Sequence, residues 1–246
     1  MVLALGSGED GRWPDWARCL ARRGVSIGHV LETENRFWRS GTVAVVGSGL
    51  SAVQVALAAA GEGLAVTVLV ERPPKIAEYD FDPRWFQDDA PSVFRSTRLR
   101  KHRLAWLARS RNPGSVPAAT AQCLAGYLGE GIGRIRVLSE PIRRVAARGS
   151  GVRFFLATDT IDADHVVLAT GFDPQLPGRD WLVRAARAFG LPLAPSGHPV
   201  LDGWLQWAPG LHATGALAEL EIGPAARGLA GGRQAARLIA RRLCSR

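Results

Sequence analysis

The apolar positions of this chain gather into short continuous runs that end in glycine, with segments of helical spacing between them. Val43–Val46 and Leu64–Val70 place β-branched and apolar residues at consecutive positions, as strands covered on both faces of a parallel sheet require. Between them, Ser51–Ala60 is rich in alanine and free of glycine and proline, and predicts a helix. Strand, glycine turn, helix and strand within about 30 residues form one βαβ unit.

The same reading extends to both sides. Met1–Gly6 (MVLALG) predicts a buried strand running into a turn, and the segment after it a helix that Pro14 and Asp15 begin and Gly24 ends. Val25–Leu31 alternates as a short strand. Pro73–Pro91 predicts mostly loop, Ser92–Arg111 one helix with a strongly basic side, and Val116–Leu128 a further helix. IRVL (135–138) and IRRVAA (142–147) predict short strands, followed by a polar hairpin that feeds an apolar strand, Val166–Ala169, ending at Thr170 and Gly171. LHATGA (211–216) predicts a strand and turn. A long helix is then expected from near Pro224, carrying Arg233, Arg237, Arg241 and Arg242.

Composition narrows the function classes. No apolar run reaches the ~18 residues needed to cross a bilayer, and the opening MVLALGSGEDG has no basic region of a signal peptide, so a cytoplasmic protein without a membrane partner is expected. The net charge of +9 raises nucleic-acid binding as a class. Against it, the positive charge is arginine spread along the chain, with Lys75 and Lys101 as the lysines, so no nucleic-acid partner is expected. Cys19, Cys123 and Cys244 form no C-x-x-C pair, and the five histidines show no ligand spacing, so neither a redox dithiol nor a metal site is predicted.

The chemistry lies in G47-S-G-L-S-A52, between the first strand and helix of the βαβ unit. Gly47 permits a tight turn, and Gly49 lets the backbone approach a pyrophosphate. Ala52 keeps helix and strand close, and the helix start offers free N–H groups through Ser48, Leu50 and Ser51. The run matches the dinucleotide fingerprint with alanine at the third glycine; the alternative is a plain βαβ turn. A serine-hydrolase elbow would need glycine where Val53 stands. Past the second strand the chain offers Glu71, suited to the ribose hydroxyl of NADH, and Arg72, suited to the 2′-phosphate of NADPH. With both placed in the loop after the strand, Arg72 favours NADPH; the alternative is a simple exposed pair. The basic residues Arg95, Arg98, Arg100, Lys101, Arg103, Arg109 and Arg111 read either as a phosphate-attracting field or as a solvated face.

With these pieces in order, the chain resembles the flavoproteins built from two dinucleotide-binding domains. Within them it is most similar to FAD/NAD(P)-binding oxidoreductases related to lysine and ornithine N-monooxygenases. The resemblance rests on LALG (3–6), GSGLSA (47–52), DFDPRW (80–85), VVLATGFDP (166–174) and GALAELEIGPAAR (215–227). It implies an α/β fold: a Rossmann-like, glutathione-reductase-type nicotinamide domain with a parallel sheet over residues 41–171. Residues 1–40 would be the end of an FAD-domain strand and a connector, and residues 172–246 the C-terminal segment of the FAD domain. Thr170 and Gly171 would form a crossover turn, and Gly215, Ala216, Gly223 and Pro224 would border the flavin, the helix from Pro224 pointing its dipole at it.

The resemblance also implies activity: hydride from NADPH (or NADH) to FAD, then to O₂ or another acceptor, with N-hydroxylation as one outcome. No residue is singled out as an acid–base catalyst, since the cofactors carry such chemistry. Three departures qualify it. The sequence is expected to begin after the FAD-binding βαβ that precedes MVLALG in the family, Ala216 stands where many relatives have aspartate, and Gly228 stands where asparagine follows the arginine. FAD is therefore expected to bind incompletely, a separate chain carrying the FAD half is a possible partner, and association through uncovered apolar surface is expected. A non-catalytic NAD(P)H-binding module is the alternative.

Overall fold

The computed structural model describes all residues except 7, 9, 33–37, 87–89, 98, 174, 245 and 246, so Arg98 and Pro174 lie outside the described residues. The chain divides into two compact units, residues 10–80 with 112–173 and residues 1–9 with 81–111 and 174–246. These units do not follow the linear segments 1–40, 41–171 and 172–246, because non-local packing joins 10–40 to the glycine-turn unit and 81–111 to the C-terminal stretch.

In the first unit the strands are β2 (Ile27–His29), β3 (Thr42–Val46), β4 (Ala65–Val70), β7 (Ile135–Ser139) and β11 (His165–Leu168). They form one sheet in the order β2-β11-β3-β4-β7, every pair parallel. Successive side chains of a strand point to opposite faces, and β3 uses both. Val43 and Val45 join Ala52, Ala56 and Ala59 of helix α2 (Leu50–Gly61), whose small residues let it lie close to the sheet. Ala44 and Val46 face the other way, into a core with Ala17 and Leu20 of α1 (Asp15–Ala21) and with Phe154. Phe154 belongs to a second, antiparallel sheet of β8 (Arg144–Arg148), β9 (Gly151–Phe155) and β10 (Thr160–Ala163), the expected hairpin with one further strand. A small parallel pair, β5 (Lys75–Ile76) and β6 (Ser115–Val116), precedes α5 (Ala118–Tyr127).

The second unit departs further from expectation. Met1–Gly6 is not a buried strand: β1 is Val2–Leu3, with Met1 78% and Val2 47% exposed. It pairs in parallel with β13 (Leu211–Ala213), itself antiparallel to β12 (Gln206–Ala208), and so forms the edge of a three-stranded sheet. The single basic helix expected over 92–111 is two, α3 (Ala90–Ser96) and α4 (Arg100–Ser110). The break has a physical cause. The buried Arg103 guanidinium donates to the carbonyls of Arg95 (2.7 Å) and Thr97 (2.8 Å), which a continuous helix would use for its own ladder. A helix not read from the pattern, α6 (Arg179–Phe189), is bounded by Gly178 and Gly190, both at positive φ.

Near the end, α7 (Glu219–Ile222) and a short 3₁₀ turn (Pro224–Arg227) precede α8 (Leu229–Cys244). The helix expected from Pro224 thus begins at Leu229, because Gly228 is extended (φ −115°, ψ 179°) and interrupts it. The 3₁₀ turn folds onto α8 at Gly231, where a Cβ would stand 2.2 Å from the Ala225 carbonyl oxygen. Gly231, Ala235 and Ile239 recur every fourth residue as the buried stripe of α8, while Arg233, Arg237 and Arg241 face outward.

That contact predicts a split outcome for two neighbouring glycines. Gly231→Ala lowers unfolding stability by about 1–3 kcal/mol through overpacking. Gly232→Ala, with open space around it, gains about 0.5–1 kcal/mol from reduced backbone entropy in the unfolded chain. Denaturant titrations of the two variants check this; equal effects would refute the contact.

Candidate functional site

The sheet order reverses between β3 and β11: β3 leads through α2 to β4 on one side, while β11 lies on the other. The carboxyl ends of two such strands are where parallel α/β sheets open a ligand crevice. Gly47 sits at this point with φ +145°, and a Cβ on it would stand 2.2 Å from the Ala169 carbonyl oxygen at the end of β11. Its N–H donates to Leu69 O (3.0 Å), which brings the end of β4 to the same place. Gly47, Ala169 and Leu69 therefore form one junction.

Gly49 caps α2 with extended backbone and no side-chain cap, and the first turn of the helix carries no acidic residue. The N–H groups of Ala52 and Val53 bond to Gly49 O, whereas those of Ser48, Leu50 and Ser51 have no acceptor among the described residues. Uncapped amides at the positive end of a twelve-residue helix suit a phosphate. Ala52 is fully buried against the sheet, as its place in the motif requires. The donor set therefore fits the diphosphate of a dinucleotide. The approach to Gly49 is shared, however: a Cβ there would lie 3.3 Å from Gly114 Cα.

Thr170 and Gly171 leave the same junction. The Thr170 hydroxyl donates to Arg12 O, Arg12 N–H donates to Gly171 O (2.8 Å), and Asp173 N–H donates to Asp10 O (2.9 Å). The pair of segments 10–12 and 170–173 is thus stitched antiparallel, with buried His29 behind Gly11, whose added Cβ would stand 2.3 Å from the ring. Burial pushes the His29 imidazole below its ordinary pKa. Glu71 and Arg72 are both exposed in the bend directly after β4, at the carboxyl edge of the sheet.

The residues expected to border a flavin lie in the second unit and are packed by the chain itself. Gly215 (φ +65°) has its open side 3.2 Å from Gly6 O, and Ala216 N–H donates to the same carbonyl at 3.4 Å. Gly223 (φ +95°) leaves room for the Trp85 ring, 2.3 Å from where its Cβ would be, and Pro224 is buried. These glycines accommodate Gly6 and Trp85, and neither leaves an open cradle on that side. The expected helix dipole at Pro224 is replaced by a four-residue 3₁₀ turn.

The pattern reading missed what the basic segment does. Arg103 is buried and pairs with buried Glu221 at 2.6 Å, with Arg100 3.6 Å from the same carboxylate. Glu219, also buried, accepts from Arg111 (2.8 Å), Arg227 (2.7 Å) and His198 (3.0 Å). Arg100, Arg103 and Arg111 are thus neither a phosphate field nor a solvated face; they neutralise two carboxylates in the core, while Lys101 and Arg109 are exposed. The signal was present in ALAELEIG, where two acids stand in an apolar run and require cationic partners. Burial alone would raise the Glu219 carboxyl, but hydrogen bonds from His198 and Arg227 and the charges of Arg227 and Arg111 outweigh it and hold it at about 2.

No protein-family profile matches the chain, and no curated protein matches it by sequence. Solved structures match it by fold. L-lysine 6-monooxygenase from Pseudomonas syringae superposes with a TM-score of 0.69 at 21% identity, covering 96% of this chain and 63% of that one. A Kutzneria ornithine N-hydroxylase, solved with reduced FAD and NADP⁺, gives 0.69 at 18% identity over 98% of this chain and 62% of its own. A flavoprotein disulfide reductase from Escherichia coli gives 0.52 at 13% identity, over 98% and 43%. The chain shares its fold with part of these lysine and ornithine N-monooxygenase structures, and spans a little over three fifths of their length. No helix among the described residues is long and apolar enough to cross a membrane.

The Glu219 cluster generates a pH prediction. Because its folded pKa lies below the ordinary 4.5, its contribution is complete above about 4.5 and is lost as pH falls toward about 2. Unfolding stability of the wild type should therefore fall by about 3 kcal/mol more than that of Glu219→Gln across this window. At pH 7, Glu219→Gln should itself be destabilised by about 2–3 kcal/mol, since both arginines keep some solvent access. Parallel acid titration curves for the two proteins would refute it.

Proposed function

We propose that the chain binds a nicotinamide dinucleotide, NADPH in preference to NADH, across the Gly47–Ala52 turn, and serves a flavin-dependent oxidoreductase of the N-hydroxylating kind. The observation that carries this reading is the set of unsatisfied amides of Ser48, Leu50 and Ser51 at the start of α2, beside the β3/β11 switch point. The fold shared with an ornithine N-hydroxylase solved with reduced FAD and NADP⁺ supports it.

In this reading those three amides hold the diphosphate, and Gly47, closed against the Ala169 carbonyl, makes the tight turn that presents them. Arg72 pairs with the 2′-phosphate from its exposed bend, and Glu71 beside it is the group that would favour NADH instead. Thr170 and Gly171 keep the neighbouring crossover segment in place through Arg12. Gly215, Ala216, Gly223 and Pro224 are assigned to the flavin border. When bound, the nicotinamide supplies a hydride that reduces flavin for reaction with O₂ or another acceptor. The packing of Gly6 and Trp85 against Gly215 and Gly223 favours a second reading, a nicotinamide-binding module that holds no flavin of its own. Flavin absorbance of the purified protein separates the two: a yellow protein that oxidises NADPH supports the enzyme, and a colourless one that binds NADPH supports the module.

Calorimetric titration tests the nucleotide assignment. NADPH should bind more tightly than NADH, and Arg72→Ala should weaken NADPH about tenfold, equivalent to about 1.4 kcal/mol, while leaving NADH unchanged. Preference for NADH, or binding of neither, would overturn it.

A further inference from the structure

We propose that the Asn112–Ser115 turn is a strap lying across the diphosphate position, tethered by Lys75, and that nucleotide entry requires it to lift. The inference rests on the dinucleotide reading of the Gly47–Ala52 turn and concerns access to it. Gly114 has φ +75°, and a Cβ built on it would stand 3.1 Å from Ser48 Oγ. From the other side, a Cβ on Gly49 would stand 3.3 Å from Gly114 Cα. The two glycines therefore face each other with no side chain between them. The α-carbons of Gly49 and Gly114 are thus separated by at most one bond length beyond that 3.3 Å contact, a gap too narrow for an oxygen to keep van der Waals distance from both, so a phosphate does not fit between them. The motif's second glycine, whose use is to admit the ligand backbone, admits the chain's own backbone instead.

The strap is fastened unequally. Downstream it continues into β6, where Val116 is fully buried and Ala77 N–H donates to Val116 O (3.0 Å), so this end is fixed. Upstream it is held at Asn112, whose N–H donates to Asp80 O (2.6 Å) and whose side chain accepts from Lys75 Nζ and donates to Tyr79 O (3.4 Å). Both side-chain bonds are exposed, where water competes with them. Pro113 brings no N–H to add another, and Gly114 imposes little barrier to a change of φ. Lifting Gly114 thus costs exposed hydrogen bonds and leaves the core untouched. A site whose open state is only partly populated binds more weakly by that fraction and no faster than the opening.

The experiment places a thiol at Ser48 in a full-length chain whose Cys19, Cys123 and Cys244, all exposed, are replaced by serine. Ser48→Cys should react with a maleimide at least tenfold more slowly than Ser51→Cys, which is exposed on the first turn of α2. Adding Asn112→Ala should speed Ser48→Cys severalfold without altering Ser51→Cys, and Lys75→Met should do the same through the other partner. In stopped flow, NADPH association with the native sequence should reach a plateau rate with concentration that Asn112→Ala raises. Equal, tether-independent labelling alongside tight NADPH binding would overturn the strap alone. Gated labelling with no NADPH binding to any variant would overturn the dinucleotide reading, and with it the strap's role in entry.

Discussion

The carboxyl edge of the parallel sheet is organised by the absence of one carbon atom. At Gly47 the backbone turns with positive φ while the Ala169 carbonyl occupies the volume a side chain would need, 2.2 Å from the missing Cβ. This contact lets the ends of β3 and β11 meet and lets the chain turn immediately into α2. It also leaves the first amides of that helix without acceptors among the described residues. Replace the hydrogen with a methyl and either the turn opens or β11 shifts, and the crossover segment stitched through Thr170 and Gly171 shifts with it. Other features of the candidate site presuppose this junction.

A different constraint shapes the second unit. Two carboxylates, Glu219 and Glu221, are taken out of water, and each needs cations that the neighbouring apolar run cannot supply. The segment 81–111 supplies them, and in doing so its helix divides: the Arg103 side chain claims carbonyls that an unbroken helix would have used. Burial of charge thus explains the grouping of 81–111 with the C-terminal stretch despite the length of chain between them. Trp85 enters the same unit against Gly223, so DFDPRW and GALAELEIGPAAR, two motifs that carry the family resemblance, are packing partners. Their likeness to flavoproteins is a likeness of architecture before it is one of chemistry.

The fold shared with lysine and ornithine N-monooxygenases fits this division of labour. The first unit contributes a parallel sheet with an uncapped helix start at its carboxyl edge, and the second unit a core in which two carboxylates are neutralised by arginines. At the site, the space in front of Gly49 is shared with a backbone turn, and Arg72 is exposed at the carboxyl edge of the sheet.

The sequence by itself determined the βαβ unit, the parallel character of its strands, the hairpin before β11 and the identity of the glycine turn. These depend on neighbours within about 30 residues, where periodicity and the φ demanded of a glycine are local properties. Only the tertiary structure decided that Met1–Gly6 is a half-exposed edge, because burial of a strand depends on what lies beside it and not on its own residues. Only the tertiary structure broke the basic helix and ended the 3₁₀ turn at Gly228, since Arg103 and Gly231 act through contacts with chain segments far away or folded back. The same holds for Gly114. Nothing in N-P-G-S announces a destination, and its meeting with Gly49 across 65 residues of sequence is set by the pairing of β5 with β6.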